Sequence, residues 1–125
     1  MKKDFVTLVV AVGLGSLALT GNASADAERG KQVFRKCQAC HSLEPGDNKV
    51  GPSLHGIMGQ PAGHVEDYTY SSAMEQSELV WDDETMGEWL RGPRKLVKGT
   101  KMAFPGLRKD EEIEDVIEYI RASSE

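Results

Sequence analysis

The sequence predicts an all-α domain assembled around something other than its own side chains. Three observations carry that prediction. Apolar residues recur at helical spacing in three separate stretches, and no stretch alternates as a half-buried strand does. The stretches are separated by long runs rich in Gly, Pro, Ser and Asp. Loops of that length do not by themselves close a core in one domain, and 125 residues allow only one. A large apolar body at the centre reconciles few helices with long loops.

The elements follow in chain order. Lys2 and Lys3 precede the apolar run "FVTLVVAVGLGSLALT", and "ASA" ends at Ala25. This pattern predicts a secretion leader over 1–25, cleaved after Ala25, and a single domain over 26–125. The run is shorter than the roughly 20 apolar residues that span a bilayer, and Gly13, Gly15 and Ser16 dilute it. Without Lys2, Lys3 and Asp4, the 15 basic and 20 acidic side chains become 13 and 19, a formal charge of −6. So acidic a chain is excluded as a nucleic-acid binder, and no other run is apolar enough for membrane insertion. Export implies an oxidising compartment, where paired cysteines ordinarily form disulfides.

Gly30, Val33, Phe34 and Cys37 form the stripe of the first helix, with Asp26 as its cap, Glu28 early and Lys36 late. Residues 41–80 read as loop, with a short helix near 71–76. A second helix follows Trp81, with Thr85, Met86, Trp89 and Leu90 on one face, and Gly92–Pro93 stops it. "RKLVKGTKMAFPGL" reads as loop. The last helix sets Ile113, Val116, Ile117 and Ile120 on one stripe behind Asp110 as cap.

Both cysteines lie in "FRKCQACHSL", with His41 directly after Cys40. Four chemistries compete for them. A disulfide between Cys37 and Cys40 closes a very small loop and leaves His41 unexplained. A thioredoxin-like pair needs a βαβ context, which is absent. Zinc needs four ligands, and only His55 and His64 are left to complete such a set. Covalent attachment of a c-type haem accounts for all three residues: two thiols one helical turn apart add to the porphyrin vinyl groups, and the imidazole behind them reaches the iron. That reading also supplies the missing core and removes both thiols from disulfide chemistry. For a sixth iron ligand Met58, Met74, Met86 and Met102 compete. Met86 belongs to a helix face, whereas Met102 sits in a Gly-bounded loop able to bend a thioether over a ring.

The blocks "CQACH", "VGPSLHGIMG", "YTYSSAM", "VWDDETMGEWLRGP", "KGTKMAFPG" and "EDVIEYI" stand in the order and spacing of class I cytochromes c. Over residues 26–122 the chain resembles bacterial cytochromes c2 and their mitochondrial relatives. The resemblance implies the class I cytochrome c fold, three to five helices with long loops wrapped around one covalently bound haem. It implies His41 and Met102 as axial ligands, and Pro52 as the carbonyl that accepts the second N–H of His41. Trp81, Tyr70, Ser71 and Thr100 match positions that meet the haem propionates. Gly30 and Phe34 match a helix crossing against Val116 and Tyr119. The chain departs from the pattern at Gln60, where an arginine is common, at Trp89, where a tyrosine often stands, and at Met74, where an asparagine does. His55 is expected to pack away from the iron, and His64 to lie at the surface.

Functionally the resemblance implies a soluble, monomeric periplasmic one-electron carrier and not an enzyme. Its donor would be a bc1-type complex or a dehydrogenase, and its acceptor an oxidase, a reductase or a photosynthetic reaction centre. Two rivals are a membrane-tethered or subunit-type cytochrome dedicated to one dehydrogenase or reductase, and a haem sensor or peroxidase with a labile sixth ligand. Arg91, Arg94, Lys95, Lys98 and Lys101 form a basic run without an acid among 91–101, while acids crowd 82–88 and 110–118. If Met102 faces iron, that run borders the haem edge and orients the molecule toward acidic partners.

Overall fold

A computed structural model describes residues 24–125 together with Gly13 and Gly15. The predicted leader therefore lies almost wholly outside the described residues. Five helices follow one another: α1 (Ala27–Phe34), α2 (Ser72–Glu75), α3 (Asp83–Arg91), α4 (Pro93–Leu96) and α5 (Asp110–Ala122). Among the described residues there is no strand, only an isolated antiparallel bridge between Pro61 and Val80.

Asp26 caps α1, its carboxylate accepting from the N–H groups of Glu28 and Arg29. The helix is shorter than its apolar stripe. After Phe34 the bonds tighten, with Lys36 N–H reaching the Val33 carbonyl at 3.1 Å and Cys37 N–H the Phe34 carbonyl at 2.8 Å. Cys37 therefore hangs from a turn.

α1 lies across α5. The crossing is made at Gly30, where a Cβ would stand 1.9 Å from the Asp115 carbonyl oxygen, so only glycine admits so close an approach. Phe34 and Tyr119 pack beside it with ring centroids 5.5 Å apart. Ile113, Val116, Ile117 and Ile120 are all buried, as their stripe requires. They join Met86, Trp89 and Leu90 of α3, together with Trp81, in one core.

Two boundaries differ from expectation. Asp110 is the first residue of α5 and not its cap, and its carboxylate pairs with Arg91. The stretch after Gly92 was expected to be loop, yet Pro93 opens α4. Its preset φ and missing N–H suit the first helical position. Gly92–Pro93 thus ends one helix and starts the next.

The long middle segment is anchored at its far end. Trp81 N–H bonds the Gln60 carbonyl at 2.9 Å, Gly59 N–H returns to the Trp81 carbonyl at 2.8 Å, and Ala62 N–H reaches Leu79 at 2.8 Å. These bonds hold Trp81 in the core just before Asp82 caps α3.

Candidate functional site

The turns that leave α1 bring three reactive groups together. Cys40 N–H and His41 N–H both bond the Cys37 carbonyl, at 3.1 and 2.9 Å. Cys37 is half-buried against the core and Cys40 is exposed, and both are free thiols. Burial, with Cys40 adding to it, pushes the Cys37 thiol up, so the free thiol favours its neutral form. Among the described residues no group of three or more His, Cys, Asp or Glu is placed to hold a metal ion. That geometry speaks against zinc.

His41 is half-buried, and its Nδ1 lies 2.7 Å from the Pro52 carbonyl oxygen. A carbonyl only accepts, so Nδ1 carries the proton and Nε2 keeps a free lone pair. Burial pushes the imidazolium pKa down, with the Pro52 carbonyl partly opposing, so the ring favours its neutral form. Gly51 seals the other side: a Cβ there would meet His41 Cε1 at 2.3 Å and both ring nitrogens within 2.8 Å. Its own N–H is fixed to the Cys40 carbonyl at 2.8 Å. A neutral imidazole oriented by its distal nitrogen beside two unpaired thiols is the donor set that a covalently held haem requires. The residues fit the group.

Met102 is half-buried beside the same core, on the loop after α4. Its backbone N–H bonds the Thr100 hydroxyl at 3.2 Å. Of its rivals, Met86 is buried on α3 as its helix face demands, and Met74 is buried with its sulfur 4.0 Å from the Ser77 hydroxyl. Met58 is partly buried.

The remaining residues singled out from sequence share one trait. The Tyr70 hydroxyl accepts from Val65 N–H at 3.2 Å, the Ser71 hydroxyl caps α2 from Met74 N–H at 3.1 Å, and Thr100 accepts from Met102. Each hydroxyl is fixed by a bond it accepts and retains its own proton to donate, as contact with a carboxylate needs. Tyr70 and Cys37 pack against the core that contains Trp81, whose ring lies 5.5 Å from Trp89. His55 is exposed, with Nδ1 3.2 Å from the Leu43 carbonyl. His64 is not a surface residue: it is half-buried, and its Nδ1 is shut from solvent without a partner among the described residues.

Sequence reasoning missed Tyr68. Its hydroxyl donates to the Val50 carbonyl at 2.7 Å, on the His41 side. The Lys101 ammonium stands 4.4 Å over its ring and also bonds the Thr69 carbonyl, on the Met102 side. One tyrosine thus straps the two loops that carry His41's partner and Met102. Only its aromatic neighbour in "YTY" hinted at it. In the basic run, Arg91 is paired with Asp110 and Lys101 is held at Tyr68. Arg94, Lys95 and Lys98 are exposed, and among the described residues no salt bridge engages them.

The family model for cytochrome c matches residues 27–124. A cytochrome c of Gibberella zeae is 42% identical over 104 residues, covering 82% of this chain and 98% of that protein. A cytochrome c2 of Blastochloris viridis is 42% identical over 100 residues, covering 79% of each. Among solved structures, cytochrome cH from Methylobacterium extorquens superposes with a TM-score of 0.75 at 40% identity, covering 78% of this chain and 99% of that one.

Proposed function

The chain belongs to the cytochrome c family as a haem electron carrier with one covalently bound haem c, and from that premise we propose a periplasmic one-electron shuttle ligated by His41 and Met102. Cys37 and Cys40 are the thioether anchors. When bound, the haem supplies a ferrous/ferric couple and no bond in a substrate is made or broken. The observation that supports the reading is the His41 Nδ1–Pro52 bond of 2.7 Å, which fixes the ring and leaves the Nε2 lone pair free for iron.

The chain's residues keep that geometry constant. Pro52 orients the imidazole and raises its basicity. Thr100 fixes the backbone of Met102, and the Tyr68–Lys101 strap resists separation of the two loops. Tyr70, Ser71, Thr100 and Trp81 are assigned to the propionates. A site that does not rearrange transfers an electron with little reorganisation. The exposed Arg94, Lys95 and Lys98 steer this edge toward an acidic redox partner, while α3 and α5 carry the acids elsewhere.

Cleavage after Ala25 is assigned as the end of a leader; among the described residues no helix is long and apolar enough to cross a membrane. Visible spectra of the purified protein, oxidised and then reduced, test the site. A haem c spectrum with the oxidised sulfur-to-iron band, lost in Met102→Ala, is expected. A spectrum without that band, or rapid full carbon monoxide binding at neutral pH, would overturn the ligation.

A further inference from the structure

The backbone nitrogen of Asp26 has an unusual neighbour. It donates to Asp115 Oδ1 at 2.8 Å, across the crossing of α1 and α5. Arg29 Nε donates to the other oxygen of Asp115 at 3.0 Å, and its guanidinium also lies 3.3 Å from the Asp26 carboxylate. Asp115 is only 5% exposed. One cation therefore serves two carboxylates, one of them withdrawn from water, and the cluster is left one positive charge short. A buried carboxylate is costly unless fully paired.

In the whole chain that nitrogen is the amide of the Ala25–Asp26 bond, the bond at which the leader is assigned to end. Ser24 and Ala25 are exposed, and among the described residues Asp26 is the first that is half-buried. We propose that hydrolysis of this bond turns the Asp26 nitrogen into an α-ammonium paired with Asp115, so that leader removal completes a four-charge lock between α1 and α5. The inference rests on the cleavage reading. In the step, a peptidase adds water across the C–N bond, oxygen joins the Ala25 carboxylate, and the released amine takes up a proton. Two cations then face two carboxylates. The donor and acceptor positions already exist, so the bond becomes charge-assisted without any movement of the helices.

The test begins with the intact mass of the exported holoprotein. A chain starting at Asp26 is expected; any other start overturns the cleavage reading, and this inference with it. Signal sequences that release chains starting at Asp26 or at Ala25 are then combined with Asp115 or Asp115→Asn. Retaining Ala25 restores the amide and moves the ammonium by one Cα–Cα step, about 3.8 Å. With Asp115 present, that extension should weaken the folding equilibrium about tenfold in urea titrations, as for a hydrogen bond that gains a charge. In Asp115→Asn the same extension should change it less than about twofold. Equal effects in the two backgrounds, with Asp26 confirmed as the start, would overturn the lock alone.

Where Asp115→Asn does not fold, the α-amine of the unmutated protein, followed by NMR after isotopic dimethylation, decides. The charged groups around it are Asp26, Arg29, Asp115 and Glu111, and beyond them the acids of α3 and α5 with Arg91 and Arg121, which share a groove with Ala25. Titration above the usual range of about 7.7–8.0 supports the pair, and titration within that range refutes it.

Discussion

Replacing Gly51 by alanine adds one methyl group at the place where the site is tightest. Its φ is not in the left-handed region, so the alanine backbone is unstrained and the effect is purely steric. The new Cβ would lie 2.3 Å from His41 Cε1, about 1.1 Å short of the 3.4 Å at which ordinary contact begins. Three ring atoms are met at once, so no small rotation of the imidazole relieves the clash. The ring or the Gly51–Pro52 backbone must move by about 1 Å, and the 2.7 Å bond to Pro52 is lost. Overpacking costs about 1–3 kcal/mol and the broken bond about 0.5–1.5, together about 1.5–4.5 kcal/mol. For a domain of this size that lowers Tm by about 6 °C or more. On the proposed ligation by His41, loss of the carbonyl would make Nε2 a weaker donor and destabilise ferric iron more than ferrous, so the midpoint potential should rise. Thermal unfolding of the holoprotein and a potentiometric titration measure both. A variant with unchanged Tm and potential would refute the claim that His41 is wedged between Gly51 and Pro52.

Gly87→Ala is the matching control: its Cβ would meet Ile113 at an ordinary 3.8 Å, so helix propensity should raise stability by up to about 1 kcal/mol in urea unfolding. Gly30→Ala should do the opposite, because the Asp115 carbonyl at 1.9 Å forces α1 and α5 apart; a stability loss under about 1 kcal/mol would contradict the crossing. The Arg29 hydrogen bond, helped by the Asp26 N–H, holds the Asp115 pKa below the usual 3.8 despite burial. Its stabilisation is therefore complete above that value and lost as pH falls through the lower folded-state pKa, and Asp115→Asn should flatten the acid limb of a pH–stability curve. In an alkaline titration of the sulfur band, Lys101→Ala should free the Met102 loop and shift loss of the band to lower pH. Lys95→Ala, by removing one of the flanking amines free to compete, should shift it higher.

Much of this protein was legible in one dimension. The stripes of α1, α3 and α5, the Asp26 cap and the Cys37–Cys40–His41 constellation are local patterns, set by side-chain spacing over a few residues, and the all-α fold followed from them. Pro93 was local too, but its two uses, stopping one helix and starting another, look alike in sequence. Pairings across the chain were not legible. Nothing near Asp115 announces that it will be buried against Arg29, since a charge on a helix face ordinarily meets water. Tyr68 reads as a loop aromatic until folding sets it between Val50 and Lys101. The necessity of Gly51 appears only when the His41 ring lies against it. Spacing along the chain fixes which groups a turn or helix can present together, because backbone geometry repeats. Which group meets which across a loop depends on how the helices cross, and that crossing exists only once they have packed.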